Sequence, residues 1–584
     1  MYYFSFLIFN LYIFFLYLKN KIYFPKQFNS DKIINKYFTN KSDRNIRNRF
    51  SKRKIPDNID IIIIGSGIGS LTCAGLLSRV GKRVLVLEQH YIAGGSTHTF
   101  EDKGYEFDTG VHYVGNIGER KKIIDLITYP HIQWDKMGNK ENDYLYDEIV
   151  IEGDTYHFKA GKSNFLKEIE KYFPQEIENV IEYLDYLDKV SKQNLFFLLK
   201  VFQNKFISNI LNKLYFKYIF NIDETALEVV ERYTKNKKLQ AVLLGQFGDY
   251  GKSPKNESFF IHSRIFKHYL DGAWYPNQGS SIIAKNIIPI IENTGGKVLV
   301  GKSVKSVLVN NNYAYGVIME NDVKIYANKI ISGCGLWNTW NKLVEEKYVP
   351  KSLTNKLDKI GLSASVVYLF VGMNKSPEEL NLRSSNIWHL PNKDYDELIY
   401  NLENDPLTAP IPLFIGFPCA KDKSWNERYP NKSNAVILTF TNYKHFEEWE
   451  NCKQGNRGED YEEFKNQFAD RILNEGLYKY YPQTKDCIDY INVGTPLTFN
   501  HYINSHKGEI YGLNNSFDRL KDVSISPKTH IENLYLTGQD ITTLGFTGGL
   551  MGGVLTSNSI LGYGTTMDIL TDRNLIKELN NLKI

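Results

Sequence analysis

Residues 59–90 read IDIIIIGSGIGSLTCAGLLSRVGKRVLVLEQH, and the order of residue types in this stretch decides the fold. Ile61 to Ile64 form a continuous β-branched run, extended upstream by Ile59 beyond Asp60. A run of this kind ended by glycine reads as a strand buried on both faces of a parallel sheet. Gly65, Gly67 and Gly69 follow; LTCAGLLSRVG then has helical spacing closed by Gly81, and KRVLVLE returns to strand. The unit is a βαβ motif. Gly65 supplies its tight turn, Gly67 lets a pyrophosphate approach the backbone, and the free N–H groups of the helix N-terminus, from Ser66 to Ser70, face the phosphate charge. Glu88 ends the second strand about twenty residues on, where a carboxylate takes ribose hydroxyls. Ser70 stands where the fingerprint has its third glycine; that position serves helix–strand packing, so a small serine is accepted. Glu88 would repel a phosphorylated adenine ribose, so the stretch predicts FAD or NAD rather than NADP.

The 584 residues are long for one core and predict two or more domains or interleaved lobes. The net charge of +5 hides an asymmetry: residues 19–54 carry twelve Lys or Arg against Asp31 and Asp43, leaving the body mildly acidic. The body has no basic stripe with interleaved aromatics, so no nucleic-acid partner is expected. The five cysteines, Cys73, Cys334, Cys419, Cys452 and Cys487, are scattered with no CxxC spacing, which supports neither a disulfide framework nor a metal site. Cys73 reads as a small buried hydrophobe.

Residues 1–18, MYYFSFLIFNLYIFFLYL, are uncharged and about the minimum length for a bilayer-spanning helix, and they read as a signal-anchor; a cleaved signal peptide is the alternative. The basic residues 19–56 read as a tether to anionic headgroups or on the cytosolic flank. Residues 192–220, KQNLFFLLKVFQNKFISNILNKLYFKYIF, are apolar and basic, which suits either a membrane-interface helix or an ordinary buried helix pair.

HYIAGGSTHTFEDKGYEFDTGVHYVG, residues 90–115, places Gly94 and Gly95 just after the ribose acid. With Ser96 and Gln89 beside it, this resembles the FAD-containing amine oxidase and phytoene desaturase superfamily. The run LEQHYIAGGSTHTF with EFDTGVHYVG is similar to the all-trans-retinol 13,14-reductase (retinol saturase) branch, a sister of the carotenoid isomerases. At the far end, NLYLTGQDITTLGFTGGLMGGVLTSNSILG (533–562) resembles the superfamily's closing strand, turn and helix. The resemblance implies that Gly538 and Asp540 meet the flavin's phosphate–ribityl side, that Gly548 and Gly549 lie under its ring at a helix entrance, and that Val304 touches adenine through its backbone. Where the family reads Tyr-Pro-x-Gly-Gly, this chain has Tyr275, Pro276, Asn277, Gln278 and Gly279. ISGCGLWNTW (331–340) lacks the helix and acid of a second nucleotide site and reads as a strand end of the FAD domain.

The expected fold is α/β: a Rossmann-like FAD-binding domain on a parallel sheet, with a discontinuous α+β substrate-binding domain. The FAD domain is expected from 57–115, 273–345 and 525–584, and the substrate domain from 116–272, largely helical, and 346–524. The resemblance implies an FAD oxidoreductase that saturates one double bond of a retinoid-like or carotenoid polyene, with NAD(P)H as a candidate electron donor, at the endoplasmic reticulum or another endomembrane. A carotenoid isomerase or desaturase and a non-catalytic isoprenoid-lipid escort are the alternatives. Saturation needs a proton as well as a hydride; the candidate donors are His112 and Tyr113, then His98, with His262 and His268 behind them.

Overall fold

The computed structural model describes residues 45–200, 205–218, 224–562 and 566, so the expected anchor at 1–18 lies outside the described residues. The β-branched run is strand β1 (Ile61–Ile64); helix α1 (Ile68–Arg79) carries the chain to a parallel neighbour, β2 (Val84–Leu87). Three strands from much later in the chain, β3 (Lys297–Leu299), β4 (Lys329–Ser332) and β5 (Leu534–Leu536), complete an all-parallel sheet in the order β3-β2-β1-β4-β5. Ile61 and Ile63 enter the core on one face together with Val84 and Val86; Ile62 and Ile64 enter the opposite core with Leu85 and Leu87. Burial on both sides explains why the run does not alternate with polar residues.

Helix α2 (Gly545–Leu561) lies against α1 on one face of this sheet. The approach is close because glycines line it. A Cβ added to Gly553 would lie 2.7 Å from Thr72 Cβ, and one added to Gly69 would lie 2.7 Å from Gly538 Cα. Ser70 is tolerated for a reciprocal reason: Gly333, just past β4, leaves the space its hydroxyl fills, and a Cβ on Gly333 would overlap Ser70 Oγ.

A seven-stranded mixed sheet forms the second unit, in the order 488–494, 365–373, 433–441, 413–416, 386–390, 145–151, 154–159. Residues 116–272, expected to be largely helical, also give two strands to this sheet. Helices fill 162–191, 195–200, 205–218, 226–244 and 259–270 for the most part, but 145–151 and 154–159 are strands of this sheet. Asp147 and Glu148 sit together between Tyr146 and Ile149–Ile151, all buried, so the apolar run is broken by polar residues that find partners inside. The tether also ends earlier than expected. Ile46 is buried, Phe50 N–H donates to Val300 O (2.8 Å) and Val300 N–H to Asn48 O (2.9 Å), so residues 46–50 dock beside β3.

Candidate functional site

A cavity of about 630 Å³ is walled at one end by the β1–α1 loop and at the other by aromatic side chains of the seven-stranded sheet. Of the residues singled out in the sequence, Gly65, Ser66, Gly67, Gly69, Ser70, Glu88, Gln89, Gly95, Ser96, His112, Tyr113, Val304, Gly538, Asp540 and Gly549 all stand on its wall. They come from three distant parts of the chain, joined by the parallel sheet.

Glu88 is buried and accepts hydrogen bonds from Ser66 N–H (2.9 Å), Ser66 Oγ (2.7 Å) and His90 N–H (2.8 Å). Burial pushes its carboxyl above the usual range, and those donors oppose the shift. Ser66 Oγ in turn accepts from Gly94 N–H (3.0 Å), while a Cβ added to Gly95, at φ 55°, would lie 2.9 Å from Gly67 Cα. The glycine pair therefore braces the loop. Gly94 does this from behind the cavity wall.

Two observations show that this wall suits a dinucleotide. A Cβ added to Gly67 would meet no protein atom within 4 Å, so the chain's own packing does not ask for glycine there. A ligand pressed against the backbone does. Second, Ser70 Oγ is buried without a hydrogen-bond partner among the described residues, beside the N-terminus of α1, where an anion is favoured. FAD fits this donor set: Glu88, oriented by Ser66, and Gln89 with Val304 would hold the adenosine, Gly67 and Ser70 the diphosphate, and Gly538 with Asp540 the ribityl side. Bound there, FAD would supply two-electron redox chemistry.

Asp540 has a second task. Its carboxylate accepts from Leu336 N–H (2.8 Å) and Leu513 N–H (2.9 Å), tying three turns of the wall together. The helix entrance differs from the one the glycine pair at 548–549 suggests. The helix begins at Gly545, whose N–H donates to Gln539 Oε1 (2.9 Å), not at the glycine pair. A Cβ on Gly548 would overlap the Thr543 carbonyl and one on Gly549 would lie 2.7 Å from Ile68 Cγ2, so both are small to pack against protein. Gly548 does not reach the wall.

The expected proton donors also come out differently. His112 Nε2 lies 3.1 Å from Tyr368 Oη, and burial pushes the imidazole down to about 3, so it is neutral at pH 7 and carries no ready acidic proton. Tyr113 donates its hydroxyl into a pair of carboxylates, Asp249 (2.9 Å) and Asp147 (3.2 Å), and its ring stacks on Tyr269. His98 Nδ1 donates to Gly95 O (2.6 Å), His262 bonds Tyr183 Oη (2.7 Å), and His268 Nε2 accepts from Gly115 N–H (2.9 Å). These three are structural and stand off the cavity wall.

Two acids on the wall were not singled out in the sequence. Asp249 is held well above the usual carboxylate range by burial and by the neighbouring Asp147 charge. Glu509 is pushed up to about 8 by burial and by Asp540. Asp249 sits in GQFGDYG (245–251), where an acid between two glycines interrupts an apolar segment; that interruption was the one available signal.

A parallel sheet, a glycine loop opening on a helix N-terminus, a ribose acid and a closing turn on one shared cavity define a dinucleotide-binding oxidoreductase of the flavoprotein class. The chain belongs to the flavin-containing amine oxidoreductase family, whose model matches residues 71–558, and within it to the all-trans-retinol 13,14-reductases. It is 36% identical over 574 residues to the all-trans-retinol 13,14-reductase of Danio rerio, covering 93% of each chain. A second Danio rerio protein, named as an inactive all-trans-retinol 13,14-reductase, is 33% identical over 567 residues, covering 93% of this chain and 92% of its own. Among solved structures, a triple mutant of putrescine oxidase shares the fold, with a TM-score of 0.57 at 12% identity, over 86% of this chain and 98% of that one.

Proposed function

We propose that this protein uses FAD to saturate one carbon–carbon double bond of a retinoid-like polyene, a reaction of the all-trans-retinol to 13,14-dihydroretinol type. The observation that carries the reading is the character of the cavity's far end. Beyond the dinucleotide-binding wall, the lining changes to Tyr368, Trp388, Phe414, Leu438, Phe440 and Phe499. Such a surface offers a long conjugated hydrocarbon apolar and π contacts, and few polar groups a sugar or amino acid would need. Its likeness to retinol reductases over nearly its whole length supports the same substrate class. The existence of an inactive relative makes turnover by this chain itself the decisive measurement.

The electron donor in this reading is a reduced nicotinamide, NADH or NADPH, delivered from outside the FAD domain. The site of action is an endomembrane such as the endoplasmic reticulum, supported by the uncharged residues 1–18 and the basic stretch that follows. Among the described residues no helix is long and apolar enough to cross a membrane. The helix Lys205–Tyr218 adds support for a membrane contact: Asn212 and Tyr215 face inward, while Ile210 and Leu214 are 45% and 48% exposed.

The test is anaerobic incubation of the purified, chemically reduced holoprotein with all-trans-retinol, followed by chromatography and mass measurement. A product heavier by two hydrogens supports saturation. Recovery of geometric isomers with no dihydro product overturns it in favour of an isomerase, and a purified protein that takes up no flavin overturns it in favour of a lipid escort.

A further inference from the structure

We propose that Asp249 is the proton donor to the double bond being saturated, with Tyr113 and Asp147 holding it in place. The inference rests on the saturation reading above and adds the residue that completes it.

Two carboxylates, Asp249 Oδ2 and Asp147 Oδ2, lie 2.9 Å and 3.2 Å from one hydroxyl, Tyr113 Oη, which has a single proton to give. Asp147 is otherwise well supplied: Asn386 Nδ2 donates to Oδ1 and Gln246 Nε2 to Oδ2, both at 2.8 Å. Among the described residues, Tyr113 is the only hydrogen-bond partner of the Asp249 carboxyl. Two ionised carboxylates around one donor in a buried site repel each other, so one of them keeps a proton. The proton settles on the acid with fewer donors. Asp147 remains the anion and Asp249 the carboxylic acid.

The surroundings reinforce the assignment. Facing Asp249 are the hydroxyl-bearing rings of Tyr113, Tyr146, Tyr269 and Tyr511, each with its phenol pushed up by burial and therefore neutral. The buried cation Lys421 serves the Asp147 side: its ammonium donates to Asn386 Oδ1 (2.6 Å) and to His112 O (2.9 Å), and it sits 5.7 Å from the Tyr113 ring centroid. Access separates the two acids. Asp147 is fully sealed, whereas Asp249 belongs to the wall of the cavity that Trp388 and Phe414 also line.

In the step proposed, a hydride from a reduced flavin dinucleotide adds its electron pair and hydrogen to one carbon of the double bond. The π pair forms a bond from the other carbon to the proton of the Asp249 carboxyl. Flavin is left oxidised, the polyene has gained two hydrogens, and Asp249 is left as a carboxylate, which is reprotonated from water when product leaves.

The experiment uses reduced holoenzyme mixed anaerobically with all-trans-retinol in a single turnover, comparing wild type, D249N and D249E. Flavin content of each variant is read from its visible spectrum. D249N is expected to retain FAD and to form dihydro product at least about 100-fold more slowly, with D249E recovering roughly tenfold or more of that loss. The wild-type rate should fall at high pH as the acid ionises, and D249N should lack that limb. An independent readout is the infrared difference between wild type and D249N at neutral pH, expected to show one protonated-carboxyl carbonyl band that the variant lacks, beside the band of Glu509, which both retain. A FAD-loaded D249N within about threefold of wild type overturns the inference, as does a wild-type protein with no such band, even where dihydro product forms. A wild-type holoenzyme that makes no dihydro product defeats the saturation reading and the proton step together, and the presence of the band then distinguishes that failure from a wrong ionisation state.

Discussion

Replacing Gly67 with alanine separates a glycine kept for a ligand from one kept for the protein. Gly67 has φ −61° and ψ 167°, which alanine adopts freely, and its added Cβ meets nothing within 4 Å. The folded chain therefore loses little; alanine in place of glycine at this helix N-cap costs up to about 1 kcal/mol. The same methyl projects into the space where the diphosphate should rest. Lifting it from the loop breaks about one charge-assisted N–H···O bond worth roughly 1.5–3 kcal/mol, so FAD affinity should fall about 10- to 150-fold. Gly69→Ala is the control in the opposite sense, because its Cβ would lie 2.7 Å from Gly538 Cα, with backbone on both sides. It should unfold more easily by about 1–3 kcal/mol. Urea unfolding of the flavin-free proteins and FAD titration followed by flavin fluorescence make the comparison. The reasoning is refuted if G67A binds FAD as tightly as wild type, or if it loses as much stability as G69A.

Two further outcomes follow from the packing and the buried acids. Gly333→Ala forces a methyl into Ser70 Oγ and should destabilise by about 1–3 kcal/mol; adding Ser70→Gly should recover at least about 1 kcal/mol of it, whereas strict additivity in the double-mutant cycle would mean the two do not share that space. Glu509, pushed up to about 8, holds a proton in the folded protein that the unfolded chain releases, so its contribution is full below the ordinary carboxylate range and is lost as pH rises toward 8. Glu509→Gln should therefore match wild type near pH 4.5 and exceed it by about 2–4 kcal/mol near pH 8.5 in flavin-free urea titrations, and equal stabilities at both pH values would refute a raised carboxyl.

The dinucleotide half of the site was legible because its determinants are local. Strand, turn, helix and acid all lie within residues 59–90, where the period of a few side chains specifies both the elements and their chemistry. The tolerance of Ser70 could be stated from the sequence, but its cause could not, since Gly333 is brought beside it only by the pairing of β1 with β4. Gly548 shows the limit of motif reading: spacing reveals that a residue must be small, not whether a ligand or a neighbouring backbone requires it. The Asp249–Tyr113–Asp147 cluster was hidden for a related reason. Its members come from a short helix, a turn after a strand and a central strand of another sheet, and nothing local to any one of them announces the other two.

The order of the parallel sheet sets a timetable for biosynthesis. β1 is flanked by β2, made almost at once, and by β4, which leaves the ribosome more than 250 residues later, with β5 some 200 residues after that. At about 5–20 residues per second, an apolar strand edge waits tens of seconds for its neighbour. A nascent chain with such an unpaired edge is exposed to aggregation until the last strand arrives, and it is the kind of client a chaperone holds. Loss of residues 534–584 would then be felt first as failure to mature, because β5 and the helix that seals the sheet are among them.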